Sequence, residues 1–270
     1  MRLNLSKINV KSFSKDWIAW YDINKRSVPL RNTNDPYKIW LSEIILQQTQ
    51  IAQGLPYYIN FVNEYPDVIK LSLASEQEVL KLWEGLGYYS RARNLHKAAK
   101  IVVNEFKGVF PSNYSELIKL PGIGDYTASA VSSFSVNAIN PVVDGNVYRF
   151  LSRLIGIKTA INTNKSHKEF RSIALKLISK NNPSDFNQAI MEYGALVCKP
   201  SSPNCANCFL KKKCYAFLKS EVTLFPVKNI KKKIRERFFN FIVIKSCNHQ
   251  TILEKRTGKD IWKNLYQFPL

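Results

Sequence analysis

The sequence predicts a mainly α protein with a short β-rich piece at its C-terminal end. Three observations carry this. Apolar residues recur at helical spacing almost throughout the first 225 or so positions, and glycines and prolines gather between those stretches. Near Pro226 the pattern changes to a basic run followed by short apolar segments. With 270 residues, 45% of them hydrophobic, the chain can bury a sizeable core in one or two domains.

In chain order, 37–53 reads as a first helix. Ser75 and Glu78 stand at capping-box spacing ahead of Leu80, Leu82 and Trp83. Leu95, Ala98, Ala99, Val102, Val103 and Phe106 share one helical face, which stops at Gly108. Further helices are predicted at 125–134, 147–155 and 186–197. Punctuation falls at Gly85 and Gly87, Pro111, Pro121 with Gly122 and Gly124, Pro141 and Pro183. Lys228, Lys231, Lys232, Lys233, Arg235 and Arg237 read as a basic linker. Beyond it, 238–244 and 250–254 look like strands, with Cys247 between them as an ordinary strand residue. Two strands and a tail cannot form an independent domain, so this piece reads as the start of a module.

Lys and Arg total 40 against 20 Asp and Glu, a formal charge of +20. Such an excess self-repels in a compact fold and makes sense beside a polyanion whose counterions are released on binding. A lysine-rich source would also produce it. Some of the 13 Tyr, 15 Phe and 5 Trp could stack on bases, although most should be core. The stretch from Met1 to Trp17 lacks the apolar centre of a signal peptide, and no apolar run is long enough to span a bilayer. The expectation is a cytoplasmic, nucleoid-associated monomer.

Four of the five cysteines fall within 17 residues, as Cys198-x6-Cys205-x2-Cys208-x5-Cys214. So many soft ligands on a short loop predict a metal centre, with zinc and iron–sulfur both open on spacing alone. Lys199, Lys211, Lys212 and Lys213 beside it could dock on phosphates or be a solvated charge run.

Leu120-Pro121-Gly122-Ile123-Gly124 puts two glycines in a tight turn before a helix, where a phosphate could approach backbone amides at the positive helix end. Val142-Val143-Asp144-Gly145-Asn146 places Asp144 as an N-cap. The same geometry would keep a carboxylate ionised, able to stabilise a cationic sugar. Glu43 is the opposite case. Ile39, Trp40 and Leu46 put it on an apolar stripe beside Gln47 and Gln50, where burial should raise its pKa, unless it snorkels to water. One carboxyl kept protonated and one kept ionised suit acid-assisted cleavage through an oxocarbenium-like transition state.

These residues resemble the adenine DNA glycosylases, the A/G-mismatch-specific branch of the helix-hairpin-helix endonuclease III-like superfamily. The likeness runs through Asp35-Pro36-Tyr37, Trp40 to Gln50, Gly85 to Asn94, the hairpin, the Asp144 segment, Met191-Glu192-Tyr193-Gly194 and the cysteine loop. It covers about residues 15 to 220. It implies a two-lobed fold: a six-helix barrel over 31–135 that contains the helix-hairpin-helix, and an iron–sulfur domain over 1–30 and 136–225. A basic linker follows at 226–236 and a partial Nudix-like C-terminal domain at 237–270, without the Nudix glutamate cluster and truncated relative to the family.

The resemblance further implies base excision repair of duplex DNA bearing adenine opposite 8-oxoguanine or guanine. Glu43 would protonate adenine N7 and Asp144 would stabilise the sugar cation or a covalent sugar intermediate before water completes hydrolysis, with Tyr126 the third catalytic position. Gln48 and Tyr88 would wedge into the duplex, Arg31 and Glu192 would hold adenine, and Gly122, Gly124 and Asn146 would contact DNA. Cys198, Cys205, Cys208 and Cys214 would bind a [4Fe-4S] cluster. Relatives that cleave the backbone carry lysine where this chain has Tyr126, and a phenol cannot form their Schiff base. Leu30 stands where the family usually has Trp. The competing readings are an endonuclease III-like glycosylase/lyase on oxidised pyrimidines, a non-catalytic iron–sulfur DNA-binding protein, and an inactive fragment.

Overall fold

The computed structural model describes residues 10–229, 236–258 and 260–270. Lys231, Lys232, Lys233 and Arg235 of the expected linker, and 1–9 of the expected N-terminal segment, lie outside the described residues. Among the described residues twelve α-helices dominate: α1 (Val10–Asn24), α2 (Pro36–Ile45), α3 (Ile51–Glu64), α4 (Val68–Leu73), α5 (Glu76–Leu82), α6 (Ser90–Phe106), α7 (Tyr114–Leu117), α8 (Asp125–Val136), α9 (Gly145–Ile155), α10 (Asn164–Leu177), α11 (Pro183–Leu196) and α12 (Tyr215–Leu218). The only two-stranded sheet among the described residues is an antiparallel pair, β1 (Glu254–Lys255) and β2 (Tyr266–Gln267).

The helix ends follow local chemistry. Asp35 caps α2 by accepting from the Tyr37 amide, and Pro36 sits where no amide partner is needed. Ser75 and Glu78 form the predicted capping box of α5. Helix α6 stops as predicted, through Lys107 and Gly108, both at positive φ. Pro183 begins α11 rather than breaking it.

The helices bury two separate cores. Trp40, Phe61, Trp83, Leu95 and Val131 belong to the first, built from α2 to α8. Trp17, Phe150, Phe170, Phe186 and Tyr193 belong to the second, built from α9 to α11 together with α1. The N-terminal helix thus packs against α11, far along the chain, and the two lobes are joined through the segment after α1 and the loop between α8 and α9.

Two expectations about elements are corrected. The helix expected over 37–53 is two helices, broken at Leu46 to Gln50, where Gln48 has φ of 59°. In the C-terminal piece, 238–244 forms no strand. Its apolar residues other than the half-buried Phe239 stay exposed, Phe238 at 86%, and Ile242 donates one backbone bond to Pro269. Lys245 and Thr251 make an isolated bridge, and Cys247 lies in the turn between them. The piece is tied to the first lobe by Leu265 on its core, by Asn264 Nδ2 donating to Glu76, and by Arg93 donating to the Lys263 carbonyl at 2.8 Å.

The iron–sulfur expectation is also corrected. Among the described residues, no group of three or more His, Cys, Asp or Glu side chains is placed to hold a metal ion. Cys198, Cys205, Cys208 and Cys214 border one small apolar cavity of about 30 Å³. Three of the thiols have protein partners instead. Tyr193 donates to Cys208 Sγ at 3.0 Å, Arg153 donates to Cys198 Sγ at 3.4 Å, and Cys214 donates to the Arg153 carbonyl at 3.3 Å. Burial pushes the Cys198, Cys205 and Cys214 thiols up. The residues do not fit the [4Fe-4S] cofactor, and the second lobe is a helical lobe held by apolar packing.

Candidate active site

A cleft of about 790 Å³ lies between the lobes, and its walls include Glu43, Tyr126, Asp144, Asn146, Arg31 and Gln48. Glu43 comes from the last turn of α2 and Tyr126 from the first turn of α8, directly after the hairpin. The Tyr126 hydroxyl donates to Glu43 Oε2 at 2.8 Å. Burial pushes the Glu43 carboxyl up to about 7; the tyrosine bond and Arg31 oppose that rise, and the Asp144 charge adds to it. The Tyr126 phenol itself is driven well above its usual value, by burial and then by the Glu43 charge, so it remains a donor.

Asp144 caps α9. Its Oδ1 accepts from the Val147 amide at 2.8 Å and its Oδ2 accepts from Asn146 Nδ2 at 2.6 Å. These bonds favour the ionised form, as expected from sequence. Burial outweighs them, however, and the carboxyl is displaced upward rather than held low. The difference arises because a sequence reveals a cap but not the protein that closes over it.

The Asn146 amide orientation is set from its other side. Arg149 Nη2 donates to Asn146 Oδ1 at 2.8 Å and to the Gly194 carbonyl at 2.6 Å, while its Nε donates to the Cys198 carbonyl at 2.7 Å. An arginine can only donate, so Asn146 must turn its oxygen to Arg149 and its NH₂ to Asp144. Sequence reasoning did not single out Arg149. Its signal was a cation among the apolar positions Val147, Phe150, Leu151 and Leu154 of α9, where it is buried.

Glu192 is fully buried on α11 and does not line the cleft. Arg26 grips it through Nε at 2.7 Å and Nη2 at 2.8 Å, and Arg31 Nη2 joins at 2.8 Å. Burial alone would raise this carboxyl, but the hydrogen bonds from Arg26 and Arg31 prevail and hold it at about 2. Arg31 therefore stands between Glu192 and the cleft, and its Nη1 is buried without a partner among the described residues. Arg26 was not visible from sequence.

Gly124 borders the cleft and precedes α8. Gly122 has φ of 78°, and a Cβ there would come 2.9 Å from that of Asn94, so the turn needs glycine. Gln48 sits exposed at the rim, while Tyr88, 65% exposed, stands outside the cleft. The structure thus gathers Glu43, Tyr126, Asp144, Asn146, Arg31, Gln48 and Gly124 around one space and leaves Glu192, Gly122 and Tyr88 off its walls.

Residues 41–180 match the HhH-GPD superfamily of base excision DNA repair proteins. The chain is 41% identical over 258 residues to the adenine DNA glycosylase of Buchnera aphidicola subsp. Schizaphis graminum, covering 95% of this chain and 74% of the relative. Among solved structures it resembles a thermostable thymine-DNA glycosylase, with a TM-score of 0.72 and 29% identity over 78% of this chain and 97% of the other. A non-covalent endonuclease III–DNA complex shares the fold at a TM-score of 0.67 and 21% identity, covering 79% of this chain and 98% of the other. Sequence and architecture agree, and the chain belongs to the HhH-GPD superfamily of base excision DNA repair proteins, among its adenine DNA glycosylases.

Proposed function

We propose that the protein removes adenine from duplex DNA in which it faces 8-oxoguanine or guanine, by hydrolysing the bond between the base and its sugar. The observation that supports this most directly is a proton-bearing pair, Tyr126 on Glu43 at 2.8 Å, in the same cleft as the hydrogen-bonded carboxyl of Asp144. The target nucleotide must leave the stack to reach it. Gln48 and Tyr88, on exposed loop tips, enter the duplex as it does so. Arg31 offers its unpartnered Nη1 to an acceptor on the base, and Glu192 orients Arg31 from behind. Gly122 and Gly124 let the backbone approach a phosphate.

In the reaction Glu43 gives its proton to adenine N7. The C1′–N9 bond then breaks with its electron pair going to the base. The cation left on the sugar faces the Asp144 carboxylate, which stabilises it by attraction as the positive charge develops. Water adds its oxygen to C1′, and the proton it loses restores Glu43.

With Tyr126 in the hairpin helix there is no amine for a covalent adduct, so borohydride traps no enzyme–DNA species and strand cleavage is weak. We also divide the helices into a barrel over 31–135 and a second lobe made of 136–225 with the described part of 1–30, on the strength of the two cores, with Val28 and Leu30 packed in the first core. Among the described residues no helix is long and apolar enough to cross a membrane, and we place the protein on DNA in the cytoplasm.

The test incubates the protein with duplexes carrying adenine opposite 8-oxoguanine, guanine or thymine and cleaves abasic sites with alkali. Faster release opposite 8-oxoguanine and guanine than opposite thymine supports the proposal. No release from any duplex ends it.

A further inference from the structure

Gln48 and Tyr88 share an unusual backbone. Both are non-glycine residues at positive φ, 59° and 47°, a conformation that persists only where the surroundings over-determine it. Their loops lie forty positions apart in sequence, yet one guanidinium serves both. Arg91 Nη1 reaches the carbonyl oxygens of Ile44 at 3.1 Å, Ile45 at 3.0 Å and Gln47 at 2.6 Å. Its Nη2 reaches those of Leu86 and Gly87, each at 3.3 Å.

The placement of two of these acceptors matters most. Gln47 C=O and Gly87 C=O belong to the peptide planes immediately before Gln48 and Tyr88, and the orientation of that plane about N–Cα is φ itself. Holding the two carbonyls therefore holds the two left-handed residues. Trp83 Nε1 also donates to the Gly87 carbonyl, at 3.0 Å, and the guanidinium lies 5.0 Å from the Trp83 ring and 5.7 Å from the Tyr88 ring. Trp83 is fully buried, so the fork is stacked on a fixed surface.

We propose that Arg91 is the positioning residue that sets the two loop tips in one duplex-penetrating shape, joining the last carbonyls of α2 to the turn before α6. This rests on the reading that Gln48 and Tyr88 enter DNA. A lysine cannot substitute, because a single ammonium does not span two loops as a planar fork does. Arg91 touches no reacting group: its part is to lower the difficulty of extruding the nucleotide, upstream of Glu43 and Asp144.

The test compares single-turnover excision on two duplexes. In one, adenine faces 8-oxoguanine; in the other it faces a tetrahydrofuran abasic analogue, so that no partner holds it in the stack. Arg91→Lys is expected to slow the first by about tenfold or more and the second by less than about threefold. A 2-aminopurine in place of the adenine should show a correspondingly smaller fluorescence rise on binding of the variant. In a Gln48→Ala/Tyr88→Ala background, itself slowed on the mismatch, Arg91→Lys should add less than about twofold, since the tips it holds are gone.

Equal slowing on both duplexes, or full additivity in the tip-less background, overturns the role of Arg91 while leaving the wedge reading intact. Wild-type speed from Gln48→Ala/Tyr88→Ala overturns the wedge reading and the proposal with it. Should Arg91→Lys melt well below the wild type, amide hydrogen exchange on the wild type and variant decides: faster exchange confined to 46–50 and 86–90 supports the proposal, and exchange raised across both lobes overturns it.

Discussion

The proposed chemistry of the cleft depends on the proton that Glu43 itself carries beside the Tyr126 hydroxyl. Because the tyrosine bond lowers the Glu43 pKa, removing it must raise that pKa further. Excision needs the protonated acid, so its rate falls as pH climbs through about 7, the Glu43 value. Tyr126→Phe should move that alkaline limb to higher pH, read from single-turnover rates between pH 6 and 9; a limb that stays or moves down refutes the coupling. Glu43→Gln should reduce excision by roughly 10²–10⁴-fold. Its effect on stability runs the other way. A buried carboxyl near 7 binds its proton more tightly in the fold than in the unfolded chain, whose value is 4.5, so the wild type loses stability as pH rises across that window. A glutamine removes the cost, and at pH 8 the variant should melt above the wild type. A lower melting point would mean the carboxylate is well solvated. The sequence made Glu43 legible through its apolar stripe. For Asp144 it showed the cap but not the burial that raises the carboxyl above its usual value.

At the scale of elements, helices were legible where periodicity met a capping residue at Ser75, Gly108 and Asp144, but not at Thr163, whose capping box opens α10. The break between α2 and α3 was not, since Ile51, Leu55 and Tyr58 continue an apolar pattern and the carbonyls at the break are held by Arg91, forty-odd positions away. The expected strands at 238–244 and 250–254 had the composition of strands without partners to pair with, and only Glu254 joins the sheet. The packing of α9 on α11 was also invisible, although the active site depends on it. A Cβ on Gly194 would come 2.6 Å from the Asn146 Cβ and 3.1 Å from its carbonyl oxygen, and the backbone there cannot swing aside as a long side chain could. Gly194→Ala should therefore push Asn146 off Asp144, costing about 1–3 kcal/mol of stability as overpacking does. Excision should fall more than affinity for a duplex whose adenine carries a non-hydrolysable sugar. If excision and stability both match the wild type, the helices have room that this geometry denies.

The whole molecule is two cores with a cleft between them, and the cleft keeps its shape only if the lobes hold their alignment. The net charge of +20 supplies no such tie; it repels, and it favours a polyanion laid across both lobes. Much of the alignment falls to Glu192, where α11 of the second lobe meets the segment that carries the chain from α1 into α2. That segment contributes Arg26 and Arg31, and both guanidinium groups close on one fully buried carboxylate. Glu192→Gln would leave two cations facing one neutral amide, and because Arg26 is half-exposed the loss is about 1–3 kcal/mol, as for a hydrogen bond to a charged group. The pH dependence separates this from a simple packing defect. Glu192 has its pKa held at about 2 in the fold against 4.5 in the unfolded chain, so its contribution is complete above 4.5 and fades as pH falls toward 2. Urea denaturation at pH 7 should show the wild type clearly more stable than Glu192→Gln. The gap should narrow steadily from pH 5 to pH 3, as the unfolded chain takes up a proton that the folded one still refuses. A gap of constant size over that range would mean that shape at position 192, and not its charge, joins the lobes.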